Sequence, residues 1–115
     1  MSKKEREWTF FVKDIDQCCR RIIKYTAPHT YESFIEDDQA VDAVIRNLEV
    51  IGEAVKHIPE RIKLKYNKIE WTQISRFRNF LIHDYFGINY HIVWDSATQR
   101  IPELLKEIEP ILNER

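Results

Sequence analysis

Apolar residues recur every three or four positions along nearly the whole of this 115-residue chain, and that spacing commits it to amphipathic helices. Trp8, Phe11, Val12, Ile15, Cys18, Cys19, Ile22 and Ile23 draw one stripe from Glu5 to about Thr26. Val41, Val44, Ile45, Leu48, Ile51, Val55 and Ile58 draw a second, from about Asp38 to His57. A third begins near Glu70 or Trp71, runs through Ile74, Phe77 and Leu81, and should end around Asp84 to Phe86, before Gly87. The fourth carries Ile92, Trp94, Ala97, Ile101, Leu104, Leu105, Ile108 and Leu112, with Asn89 as its cap and Pro102 expected to kink or divide it. Between the first two, Ala27 to Thr30 ends one helix, Tyr31 to Glu36 suits a short turn or helix, and Asp37-Asp38 offers an N-cap. After Pro59 comes a short basic segment, Glu60 to Lys68, of helical character. Short connections between antiparallel neighbours make an all-α, antiparallel four- to five-helix bundle, one domain over residues 1–115, the expected architecture.

Composition narrows the function classes. With only 2 Gly, hairpins are scarce, and 43% hydrophobic with 32% charged residues is the balance of an ordered globular chain. Lys plus Arg is 18 against 19 Asp plus Glu, a net charge of -1, so any attraction for a polyanion must be local. No apolar run reaches the length of about 18 residues that a membrane span requires, and the N-terminal residues lack a signal-like apolar block, so no membrane role and a cytoplasmic location are expected. Adjacent Cys18 and Cys19 point apart on a helix and read as core residues of a reducing compartment. Without a Cys-x2-Cys pair, and with the histidines far from them, no zinc or other metal site or cofactor is expected.

The chemistry gathers in Arg76-Phe77-Arg78-Asn79-Phe80-Leu81-Ile82-His83-Asp84-Tyr85-Phe86-Gly87. On a helical wheel of about 100° per residue with Arg78 at zero, His83 falls near 140°, and Ile82 and Phe86 lie between them near 40° and 80°. Two apolar residues inside a polar band suit a face covered by another surface, such as a second copy of the chain. Arg78 and His83 cannot easily meet over one small substrate on a single ideal helix. Two-fold pairing of the helices, or a loosened helix end at His83, would bring the groups together.

The residue types fit metal-independent RNA cleavage. An imidazole titrating near neutrality can take the proton from a ribose 2′-OH or give one to the leaving 5′-oxygen. A guanidinium can hold the phosphate as charge develops on it. Asn79 can orient either group, Asp84 lies beside His83, and Tyr85 brings a hydroxyl. Plainer roles stand beside these. His83 can serve as a satisfied helix-end histidine, and Arg78 can pair with Glu49 or Glu53 of the ridge Asp42, Arg46, Glu49 and Glu53. Arg76, Arg61, Lys63, Lys65 and Lys68 can meet phosphate or simply face water.

Arg78-Asn79-Phe80-Leu81-Ile82-His83-Asp84-Tyr85 matches the Arg-x4-His-x-Tyr motif of the HEPN superfamily, with a polar residue directly after the arginine. With Arg46-Asn47-Leu48-Glu49-Val50-Ile51-Gly52-Glu53-Ala54 upstream and Tyr85-Phe86-Gly87-Ile88 downstream, the chain resembles the HepT subfamily from about Phe11 to Ile108. The resemblance implies a HEPN-like, homodimeric helical ribonuclease, the toxin of a MntA-HepT toxin-antitoxin pair acting on RNA, tRNA included. Arg78 and His83 would be its catalytic pair at the dimer interface. Tyr85 would accept AMP from a cognate MntA-like nucleotidyltransferase antitoxin, which neutralises the toxin. The alternative is a non-catalytic helical module that binds nucleotide or pairs with a nucleotidyltransferase.

Overall fold

A computed structural model describes the backbone of residues 3–83 and 87–114, and the side chains of residues 7–81 and 87–114. Helix α1 (Lys3–Thr26) and helix α3 (Asp38–Val55) form the main pair, joined through the five-residue α2 (Tyr31–Ile35). Their ends explain their lengths. Thr26 turns its hydroxyl back onto the Ile22 carbonyl at 3.0 Å, where α1 stops. Thr30 and Ser33 then form a reciprocal capping box that starts α2, and Asp37 caps α3 by accepting the Ala40 N–H at 3.0 Å. Phe11, early in α1, stacks on His57 just past α3 with ring centroids 4.4 Å apart, so the two helices run antiparallel.

Short helices follow: α4 (Glu60–Lys65), α5 (Trp71–Ser75) and α6 (Phe77–Leu81). The chain ends in α7 (Tyr90–Asp95), a π-helical turn (Ser96–Arg100) and α8 (Ile101–Leu112). Trp8 and Val12 share a surface hollow with Ile111 and Leu112, which sets α8 antiparallel to α1. The architecture is the all-α bundle expected, and every residue expected on the inner face of α3, from Val41 to Ile58, is buried. Burying each such Val, Leu or Ile contributes about 1.5–3 kcal/mol. Among the described residues, no helix is long and apolar enough to cross a membrane.

The third helix differs from expectation twice. It breaks at Arg76, where two bonds tighten to three-residue spacing, Arg76 N–H to Gln73 O at 3.1 Å and Asn79 N–H to Arg76 O at 2.9 Å. The Ser75 hydroxyl donates to the Thr72 carbonyl at 2.7 Å and competes with the helical ladder at the same place. The helix also ends at Leu81 rather than at Asp84 to Phe86. Ile82-His83 turn extended and pair antiparallel with Gly87-Ile88, Ile82 opposite Ile88 and His83 opposite Gly87. Asn89 N–H closes the loop onto the Leu81 carbonyl at 2.9 Å, and Gly87, at φ 81°, takes the left-handed conformation this return needs. Gly87 therefore serves a two-residue ladder instead of capping a helix.

Pro102 acts as expected, through an unexpected device. Lacking an N–H, it cannot continue the α-helical ladder, and the preceding turn widens so that Ile101 N–H reaches the Ser96 carbonyl five residues back. The extra residue in that turn shifts the stripe, so Val93 is fully buried while the expected Ile92 and Trp94 pack against the core half-buried.

The cysteines are core residues, as expected. Burial pushes the Cys19 thiol up to about 12 and raises that of Cys18. At the other end, the Tyr66 hydroxyl donates to Glu114 at 2.6 Å and ties α4 to the C-terminal end of α8.

Gly52 sets how closely α5 lies on α3. A Cβ there would sit 3.2 Å from the Ile74 carbonyl oxygen and 3.5 Å from that of Ser75, backbone atoms that cannot swing aside. Gly52→Ala gains up to about 1 kcal/mol of helix propensity but incurs an overpacking cost of about 1–3 kcal/mol. A net loss of about 1 kcal/mol is expected, read as a lower urea midpoint; an unchanged or higher midpoint would contradict this packing.

Candidate functional site

Arg78 stands on α6 with its side chain 76% exposed and reaches Glu49 of α3, Nε to Oε2, at 3.6 Å. The expected partnership with the α3 ridge is therefore real but loose, and Glu49 is the partner rather than Glu53. Glu53 is held by Lys56 at 3.3 Å. Arg78 opens onto a hollow of about 430 Å³ between α3 and the α5–α6 corner, which Arg46, Glu49, Val50, Glu53 and Lys56 also line. Arg46 makes no ion pair to any described residue and is a second guanidinium in the hollow that holds Arg78.

The backbone places His83 two residues past the end of α6, on the extended segment facing Gly87. Its wheel angle near 140° therefore does not apply: the helix end is loosened at His83, which is compatible with two-fold pairing of the helices. The side chains of Ile82 and His83, and Asp84, Tyr85 and Phe86 entirely, lie outside the described residues. Asn79 is exposed on α6, one residue after Arg78.

The basic residues divide into two groups. Lys63 and Arg76 line a second hollow of about 800 Å³ together with Lys56, Leu64 and Phe80, and neither pairs with a described residue. Arg61 and Lys65 turn toward the termini instead. Arg61 lies over the Trp8 ring at 5.8 Å, and Lys65 bridges Glu114 at 3.2 Å. Lys68 is exposed beyond α4.

Of the remaining histidines, His91 stacks on Tyr31 at 4.3 Å, and His29 sits between Ser33 Oγ at 2.9 Å and Asp37 Oδ2 at 3.4 Å. Ser33 and Asp37 are already helix caps, which accounts for that arrangement. Among the described residues, no three His, Cys, Asp or Glu side chains gather as metal ligands would.

Residues 15–111 match the family model described as ribonuclease HepT-like, and the chain belongs to that family. A protein of Methanocaldococcus jannaschii, provisionally named an RNase, is 45% identical over 104 residues, 90% of this chain and 86% of that protein. Another provisional RNase, from Caldanaerobacter subterraneus subsp. tengcongensis, is 39% identical over 89% of this chain and 91% of its own. A Thermococcus cleftensis protein provisionally named ribonuclease HepT is 36% identical over 88% of this chain and 92% of its own. No solved structure matches the chain significantly.

An exposed ion pair at 3.6 Å contributes at most about 1 kcal/mol, which separates a structural Arg78 from a functional one. Arg78→Ala and Glu49→Gln should each leave the unfolding free energy within about 1 kcal/mol of the wild type. A loss of about 3 kcal/mol from Arg78→Ala in urea titration would make the arginine structural.

Proposed function

We propose that this protein is a metal-independent endoribonuclease toxin whose working site joins Arg78 of one copy to His83 of a second. Membership of the ribonuclease HepT-like family supports the reaction class. The observation that carries the site is Arg78 itself, exposed, loosely paired and sharing its hollow with Arg46, which pairs with no described residue. A cation retained only to hold the fold would be more enclosed and better bonded.

In the proposed reaction, His83 takes the proton of a ribose 2′-OH, and that oxygen attacks the neighbouring phosphorus. The bond to the 5′-oxygen breaks, and that oxygen leaves as a hydroxyl after accepting a proton from an imidazolium. The products are a 2′,3′-cyclic phosphate end and a 5′-hydroxyl end. Arg78, with Arg46 beside it, holds the phosphate oxygens as charge grows on them, and Asn79 steadies the same group. Asp84 would orient the imidazole. Lys63 and Arg76 meet flanking phosphates, whereas Arg61 and Lys65 are already engaged elsewhere.

The exposed Val50 in the Arg78 hollow is apolar surface that a second copy would cover, which supports a homodimer. Tyr85 is the proposed acceptor of AMP from a nucleotidyltransferase antitoxin, two positions beyond the proposed base. A modification there would place an anionic phosphodiester beside the reacting groups.

The purified wild-type chain should cut RNA, tRNA included, equally with and without EDTA and leave 2′,3′-cyclic phosphate ends. Arg78→Ala and His83→Ala should each lower the rate by about 10²-fold or more while the proteins remain folded. Undiminished cutting in both variants would overturn the assignment. Growth arrest on expression of the wild type alone, lost with His83→Ala, separates this reading from a non-catalytic partner of a nucleotidyltransferase.

A further inference from the structure

Three hollows adjoin one another around the α5–α6 corner. The Arg78 hollow shares Lys56 and Ser75 with the basic hollow of Lys63 and Arg76. The basic hollow shares Gln73 and Phe80 with a third, of about 410 Å³, between α6 and the π-helical turn. Together they form one track from Arg78, past Lys63 and Arg76, which pair with no described residue, to a pocket lined by aromatic rings.

That pocket is built differently from the other two. Phe77 and Phe80 supply apolar walls, with Phe80 45% exposed at the rim. Ser96 and Gln99 come from the turn widened ahead of Pro102, Asp95 from the last position of α7, and Gln73 from α5. Gln73, Asp95 and Gln99 make no side-chain hydrogen bond to any described residue. An apolar slot with an open aromatic face, free amides and a free carboxylate suits a flat heterocycle that stacks on the ring and bonds through its edge. Its size lies within the range of about 300–1,000 Å³ typical of small-ligand sites.

We infer that this pocket receives one unstacked base of the RNA strand whose phosphates lie along the Lys56, Lys63 and Arg76 hollow, and that it sets base preference beside the cleavage site. The inference rests on the ribonuclease reading. Lys56, Lys63 and Arg76 against Glu60 and Glu70 leave this hollow with a small positive excess, which favours a nucleic acid strand over an apolar peptide, and the amides and carboxylate without described partners select a base over a hydrocarbon. Asp95 only accepts hydrogen bonds, so it favours an amino-bearing base, adenine, cytosine or guanine, over uracil, whose single N3–H is flanked by two carbonyl oxygens that a carboxylate repels. Gln73 and Gln99 can both donate and accept and so complete the edge.

The test uses fluorescein-labelled 2′-O-methyl decamers of each base, which cannot be cut because the attacking hydroxyl is blocked, titrated with the full chain by anisotropy. The wild type should bind the adenine, cytosine or guanine decamer more tightly than the uracil one. Phe80→Ala should weaken binding about tenfold, Phe80→Trp should retain it, and Asp95→Asn with Gln99→Ala should erase the preference. Light scattering should give the same mass for every variant. Unchanged affinity and preference in Phe80→Ala, with wild-type cutting of RNA intact, would overturn the pocket and leave the ribonuclease reading standing. A change of mass in Phe80→Ala would also overturn it, marking the ridge as a contact between copies. A wild-type chain that neither binds nor cuts RNA would overturn both.

Discussion

The contact on which the site depends is the approach of the α5 backbone to Gly52. With no side chain at that position, the Ile74 and Ser75 carbonyls rest directly against α3. The α5–α6 corner is thereby fixed one helical turn from Glu49, and Arg78 emerges beside that carboxylate at 3.6 Å. The hollow beneath Arg78 is the space left between the two surfaces, lined by Arg46, Val50 and Glu53 from the exposed side of α3. The buried side of the same helix, from Val41 to Val55, makes the core against α1. One helix thus holds the fold together with one face and forms the wall of the site with the other.

Two departures from regular helix shape the rest of the surface, and each has a local cause. The ladder after Leu81 lifts His83 off the helix, helped by the left-handed Gly87 and by the bond from Asn89 N–H to the Leu81 carbonyl. The π-helical turn before Pro102 turns Ser96 and Gln99 toward α6 while keeping Ala97 and Ile101 in the core. The second brings polar groups to one side of α6, a helix of only five residues.

Periodicity made the helices and core of the first half legible, because those stripes follow one uninterrupted ladder from cap to cap. It also set Arg78 against the polar ridge of α3, with Glu49 and Glu53 both open as its partner, and the structure selects Glu49. It failed where the backbone leaves the ladder. A wheel drawn through Arg76 to Phe86 assumes a helix that breaks at Arg76 and stops at Leu81, and so misplaces His83. The stripe before Pro102 slipped because a π turn adds a residue that a 3.6-residue period cannot count. Arg46 read only as a ridge residue, since sequence spacing does not reveal which charges lack partners. The pocket beside Phe80 joins residues from α5, α6 and the π turn, which no local pattern connects.

In the proposed dimer each site is shared between two copies, Arg78 from one and His83 from the other. Mixing Arg78→Ala and His83→Ala chains tests it most directly, with RNA cleavage measured after subunits have exchanged. Each mixed dimer would hold one complete site and one lacking both groups, so two inactive proteins should regain about a quarter of wild-type activity at full exchange. A mixture that stays as inactive as its components, while light scattering and subunit labelling show mixed dimers, would place both residues of the site in a single chain and contradict the account.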